Sequence, residues 1–184
     1  PMDGMVLRAS WGQGFRAPSL DILTQKTTFS AVSVNDQRTC DVLGSCPVQV
    51  DTFIRANPDL SSEQSDQYTI GWAYQPTDWL NFSVDYWNTE ITNKITYFDP
   101  ATILNRLAAG DALPPGIGIT RRQNGSISEV LAGYGNEGVV NTDGFDANVR
   151  TTFDFGTLGR LNQNLQIAYT RNYDEGGRNF VEDP

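Results

Sequence analysis

The chain has 184 residues, a net charge of −9 and no histidine, so the commonest general base and metal ligand is missing. With no basic cluster beyond Arg121-Arg122, a nucleic-acid partner is excluded. A hydrophobic content of 39% is low for a single dry core, and no stretch approaches the roughly 18 apolar residues of a membrane helix.

In chain order, Met5 to Phe15 comes first. Leu7, Ala9 and Trp11 alternate with Arg8, Ser10 and Gly12, the period-2 signature of a strand with one apolar face. An arginine in mid-strand is costly against a dry core and cheap against water. Gly14-Phe15-Arg16-Ala17-Pro18-Ser19 ends the strand, because Pro18 has no N–H for a ladder and Gly14 admits a close backbone. From Thr24 to about Ser62 the chain is polar and weakly patterned, which predicts a long structureless connection of the kind that is usually functional. Cys40 and Cys46, in that stretch, read as a small disulfide formed in an oxidising compartment, with two free thiols or half a metal site as the alternatives.

Gln67 to Trp87 reads as a hairpin. Tyr68, Ile70, Trp72 and Tyr74 share a face on the first arm; Leu80, Phe82, Val84 and Tyr86 share one on the second. Folding about Thr77 predicts Tyr74 opposite Leu80, Trp72 opposite Phe82, Ile70 opposite Val84 and Tyr68 opposite Tyr86. The turn, Gln75 to Trp79, contains Pro76. Trp79 and Trp87 bracket the second arm as aromatic margins of an apolar band.

Asp99 to Gly110 predicts a short helix, with Asp99 as N-cap, Pro100 in the first turn, Gly110 as stop and an apolar side of Ile103, Leu104 and Leu107. Asn124-Gly125 predicts a hairpin between Ile119–Gln123 and Ser126–Val130. In the last long pair, Phe145, Ala147, Val149, Thr151, Phe153 and Phe155 return as Leu161, Leu165, Ile167, Tyr169 and Tyr173 after a turn at Gly156 to Arg160. The opposite face is rich in Asn, Gln, Asp and Arg.

The reading is all-β: a fragment of an antiparallel transmembrane β-barrel, with about five long strands, short periplasmic turns and long extracellular loops. Five strands do not close a barrel, so 1–184 is expected to be part of one. Neither end looks like a natural terminus.

Three segments carry a family resemblance. Leu7 to Leu20 resembles the strand and "GFRAP" segment (Gly14, Phe15, Arg16, Ala17, Pro18) of TonB-dependent outer-membrane receptors. Asn57-Pro58-Asp59-Leu60 with Glu63-Gln64-Ser65 and Gly71 is similar to the family's "NPxL…PExS…E.G" stretch, with Ser62 where proline is common and Tyr68 near the usual Glu. Asn141 to Asp146 resembles the later "N…GxD/E" strand entrance. The resemblance implies a plugged barrel in a Gram-negative outer membrane. It implies import of a scarce ligand (siderophore, cobalamin, oligosaccharide or peptide), with energy from the TonB complex acting through a plug domain absent from this chain. Lipid, the coupling complex and the ligand are then the partners, the intact protein is a monomer, and no cofactor is expected. A passive porin and a secreted carbohydrate-binding β-sandwich are the alternatives.

Candidate sites follow. Arg8, Asp85, Asp146, Arg150 and Asp154 are expected to face the lumen, as a solvated wall or as ion pairs to the plug. Arg16 is expected to satisfy loop carbonyls. Phe29, Phe53, Tyr97, Phe98 and Tyr134 are candidate ligand contacts in the loops. Asp36, Asp41, Asp51 and Asp111 are loop carboxylates with no nucleophile–base arrangement beside them, so no enzyme is expected.

Overall fold

The computed structural model describes residues 4–176 and 178–181. In chain order the elements are β1 (Met5–Arg16), α1 (Leu20–Thr24), β2 (Thr28–Val34), α2 (Gln37–Leu43), β3 (Val48–Arg55), β4 (Glu63–Thr77), β5 (Leu80–Thr92), β6 (Ile95–Phe98), α3 (Pro100–Ala109), β7 (Gly118–Arg121), β8 (Ile127–Asn136), β9 (Val139–Asp154), β10 (Arg160–Glu175) and β11 (Arg178–Asn179). Among the described residues no helix is long and apolar enough to cross a membrane. Two compact units result: Pro1–Phe15 with Gln64–Thr92 and Gly138–Pro184, and Arg16–Glu63 with Asn93–Glu137.

The first unit is a sheet in the order β1-β4-β5-β9-β10-β11. The β4–β5, β5–β9 and β9–β10 pairs are antiparallel. Gln75 N donates to Gly4 O and Gln13 reaches Asp66, which sets β1 antiparallel to β4 as well. Its five long strands run 12 to 16 residues, at least twice the usual length of about five or six.

The first hairpin turns more tightly than expected. Tyr74 pairs with Phe82, Trp72 with Val84, Ile70 with Tyr86 and Tyr68 with Asn88. The offset from the predicted pairs is two residues, so every side chain keeps its face. A bulge between Tyr74 and Thr77 takes up Gln75 and Pro76, and Thr77 then faces Leu80 across Asp78-Trp79. The predicted partners still meet on the diagonal, with Trp72 and Phe82 ring centroids 5.2 Å apart and those of Tyr68 and Tyr86 6.0 Å apart.

Two aromatic residues sit on the other face from the one expected. Trp87 lies opposite Gly144 on the polar face, its ring 2.7 Å from where a glycine Cβ would stand. It is therefore no part of the apolar margin; Trp79, stacked on Phe153 at 5.4 Å, is. A bulge between Thr170 and Asn172 inserts Arg171 and shifts the register, so Tyr173 pairs with Thr142 on the polar side. The β9–β10 turn occupies Phe155 to Gly159, one residue earlier than predicted, with Gly156 and Gly159 at φ of 64° and 103°.

The second unit overturns the expectation of structureless loops. Its segments fold together into a sheet ordered β2-β3-β8-β6, with β7 also on β8. The β3–β8 pair is parallel and the others antiparallel. Alternating Val32 and Val34, and Val48 and Val50, supply a β-branched face. With Cys40, Phe98, Ile103, Ile127, Val130 and Ala132 they make a core drawn from both connections. Neither connection carries enough apolar residues alone, which is why the pattern is faint when each is read by itself. Asp36 caps α2, Gly44 ends it at φ 72°, and Cys40 is disulfide-bonded to Cys46. The predicted helix is α3, with Asp99 accepting from Ala101 N and Thr102 N. Ile103 is enclosed, Leu104 is partly buried and Leu107 is exposed. The Asn124-Gly125 hairpin forms, with Asn124 Oδ1 accepting from Ser126 N and Gly125 at φ 89°.

Candidate functional site

On the polar face of the first unit, register sets Gly71, Asp85, Asp146 and Ala168 side by side across four strands. Arg8 reaches over β4 to Asp85, with Nε to Oδ1 at 2.8 Å and Nη2 to Oδ2 at 2.5 Å. Only a glycine permits that crossing: a Cβ on Gly71 would stand 1.9 Å from Asp85 Oδ1 and 2.7 Å from Arg8 Nε. Asp146 then faces a carboxylate already paired with Arg8, so the row keeps excess negative charge. A cleft of about 340 Å³ here is lined by Ser83, Asp85, Asp146, Asn148 and Gln166. Arg150 shares the face, between Asn81 and Asn164. Asp154 pairs with Arg160 and accepts from Gly156 N, so it organises the turn.

The motif residues do specific mechanical work. Gly14 brings β1 close to β4, since a Cβ there would stand 2.7 Å from Ser65 Oγ. Phe15 is 80% exposed. Arg16 donates to a carboxylate and not to loop carbonyls: Nη2 lies 2.8 Å from Glu63 Oε1 and Nε 2.5 Å from Oε2. Glu63 is 7% exposed and also accepts from Ile95 N at 2.8 Å, so one buried carboxylate gathers three segments. Ala17 and Pro18 line a cleft of about 310 Å³ with Arg16, Ile22, Ile95 and Tyr134. Asn57 donates to Tyr134 O and accepts from Asp59 N, while its own N–H reaches Ile22 O.

Tyr134 also lines a second cleft of about 250 Å³ that contains Arg55, Asn57 and Pro115. Its ring lies 5.1 Å from Tyr97. Burial, then Tyr134 and Asp99, raise the Tyr97 phenol above its ordinary range, so at neutral pH it remains a donor. Phe29 and Phe53 form a cross-strand ring pair at 5.6 Å, with Phe29 largely exposed. Phe98 is the exception among the loop aromatics: it is fully enclosed, with Arg106 over its ring at 5.2 Å, and is unavailable to a ligand.

Sequence reasoning gave no role to Glu63, Gly71, Gly144 or Arg121. A glycine inside a strand pattern is the signal for the close approaches at Gly71 and Gly144, and Asp36 as an N-cap is the signal for the helix that Arg121 secures. Asp36 accepts from Arg121 Nη1 and Nη2 at 2.7 and 2.8 Å and from Thr39 N at 3.0 Å. The Arg121 guanidinium, with Thr39, holds the Asp36 carboxyl well below the usual carboxylate range.

A single antiparallel sheet of such long, two-faced strands joined by long connections is part of the wall of a β-barrel. The TonB-dependent receptor-like β-barrel family model matches residues 1–184, and the chain belongs to that family. Solved structures share the fold, two receptors among them. The siderophore receptor PirA of Acinetobacter baumannii matches with a TM-score of 0.58 at 16% identity, over 95% of this chain and 22% of that one. The ferric enterobactin receptor PfeA of Pseudomonas aeruginosa, in a mutant complexed with enterobactin, matches with a TM-score of 0.55 at 17% identity, over 91% of this chain and 20% of that one. The chain thus spans about a fifth of the length of the structures it matches. No curated protein matches.

Proposed function

We propose that this chain is part of an outer-membrane receptor that binds a scarce ligand, of siderophore type, and imports it with energy from the TonB complex. The observation that carries the reading is the family match along the whole chain. The apolar face meets lipid, the polar face lines the lumen, and the two long connections lie outside the cell. The protein's part is binding and gated passage, with no bond made or broken in the ligand. Within the second unit, Tyr134 and Tyr97 offer ring faces and phenol donors, and Arg55 offers a cation in the cleft that Tyr134 lines. That set suits an anionic aromatic chelate better than a neutral sugar.

The test is uptake by the intact protein in a Gram-negative host stripped of its own siderophore receptors, with radio-iron enterobactin as the probe. Uptake that disappears when TonB is deleted is expected, together with a roughly tenfold weaker half-saturation in Arg55→Ala/Tyr134→Ala. Flux indifferent to TonB would favour the passive porin instead. Uptake of cobalamin or maltodextrin in place of the ferric chelate would move the ligand class.

A further inference from the structure

The apolar side of α3 is wider than the core consumes. Ile103 is enclosed and Leu104 partly buried, but Leu107, one turn on, is 43% exposed. It lines a cleft of about 760 Å³ within the second unit, against about 250 and 310 Å³ for the two clefts at Tyr134. That volume lies in the range of roughly 300–1,000 Å³ of small-molecule sites. Leu104, Leu107 and Ala108, three and four residues apart, line it from α3, and Leu113, Ile117 and Ile119 line it from the chain that follows.

The lining is selective in two ways. Its large apolar side chains are all aliphatic, with no ring among the described residues, whereas the neighbouring cleft holds Tyr134 and Arg55. Ile117 belongs to the lining of both, so the two clefts adjoin. The polar part carries one carboxylate and two guanidiniums. Asp36 and Arg121 neutralise each other through hydrogen bonds of 2.7 and 2.8 Å. Arg38 is exposed and has no partner among the described residues. On a chain of net charge −9, the rim of this cleft is locally cationic.

We propose that this cleft takes the aliphatic chain of an anionic amphiphile, with Arg38 at the rim setting the sign of its charge. Aliphatic walls gain free energy from every methylene they cover and offer a flat ring nothing to stack on. A free guanidinium attracts a carboxylate-bearing chain and repels an ammonium-bearing one. On the receptor reading above, on which this step rests, the amphiphile is an acylated form of the imported chelate. Its iron-binding head lies in the Tyr134 cleft and its chain passes Ile117 into this one.

Photolabelling of the intact protein in outer-membrane vesicles, with a diazirine-tipped decanoate, tests the cleft without any need for uptake. Label is expected on α3 and residues 113–119, displaced by decanoate and not by decyltrimethylammonium, an amphiphile of equal chain length and opposite charge. Leu107→Asp, at a half-exposed position, should cut that label roughly five- to tenfold. Arg38→Gln should let both amphiphiles compete alike. Label spread evenly along the chain, full label in Leu107→Asp, or equal displacement by both amphiphiles in the unaltered protein would each overturn the assignment. Uptake of a radio-iron tris-catecholate with and without a decanoyl chain reads the link to transport separately. A gain of about tenfold with the chain is expected, and its loss in Leu107→Asp. Uptake of neither form, with the label in place, would remove the receptor reading and keep the amphiphile site. Equal uptake of both forms would overturn the acylated chelate as its occupant.

Discussion

At the scale of single residues, ion pairs built over missing side chains decide geometry. Gly71 exists so that Arg8 can cross a strand to Asp85, and Gly144 leaves the space that the Trp87 ring fills. In the second unit the decisive residue is Asp36, which caps α2 and holds Arg121. Its carboxyl is depressed in the folded protein, so the unfolded chain takes up the proton first as pH falls. The stability it contributes is therefore complete above about pH 4 and is lost as pH drops from there through the folded value. Asp36→Asn keeps a good cap but leaves a part-buried arginine unpaired. It should cost the second unit roughly 3 kcal/mol and flatten that acid limb, read as local hydrogen-exchange protection against pH.

At the scale of elements, the strand alternation carries the argument, and register is the part that sequence leaves loose. A period of 2 assigns each side chain to a face. A shift of two residues changes every partner and no face, and the first hairpin is offset from its predicted pairing by that amount. A bulge of one residue does the reverse, and Arg171 accordingly moves Tyr173 to the other side. If the apolar face meets lipid, Trp72→Arg should cost about 2–4 kcal/mol and reduce heat-modifiable, folded receptor in the outer membrane. Gln166→Arg, on the polar face beside Asp85 and Asp146, should assemble at the normal level. Equal damage from both would invert the assignment of faces.

At the scale of the molecule, two connections that look independent in sequence form one folded body. Its entry points are tied by two side chains: Glu63 joins Arg16 and Ile95, and Asn136 joins Ser61 and Asn93. Clefts lined by residues from both connections, such as the one holding Asn57 and Tyr134, depend on that knot. Glu63→Gln should weaken protection by roughly 1–3 kcal/mol in α1 and β6 together, measured by hydrogen exchange on the intact protein, with β9 and β10 unchanged. Loosening confined to one connection would mean that the two are not coupled here.

The sequence by itself determined the strands of the first unit, their faces, the α3 caps, the Asn124-Gly125 turn and the cysteine pair. Each depends on contacts within a few residues or on a strict period. The three motif segments also identified the family. Only the tertiary structure decided the registers, the move of Tyr173 to the polar face, the enclosure of Phe98 and the partner of Arg16. It alone revealed the second unit, because the core of that unit takes Val34, Val48 and Val50 from one connection and Phe98, Ile103 and Val130 from another. Such a core leaves only a faint periodic trace in either segment: its pairs are distant in the chain, and its apolar residues are too few for either segment to bury alone.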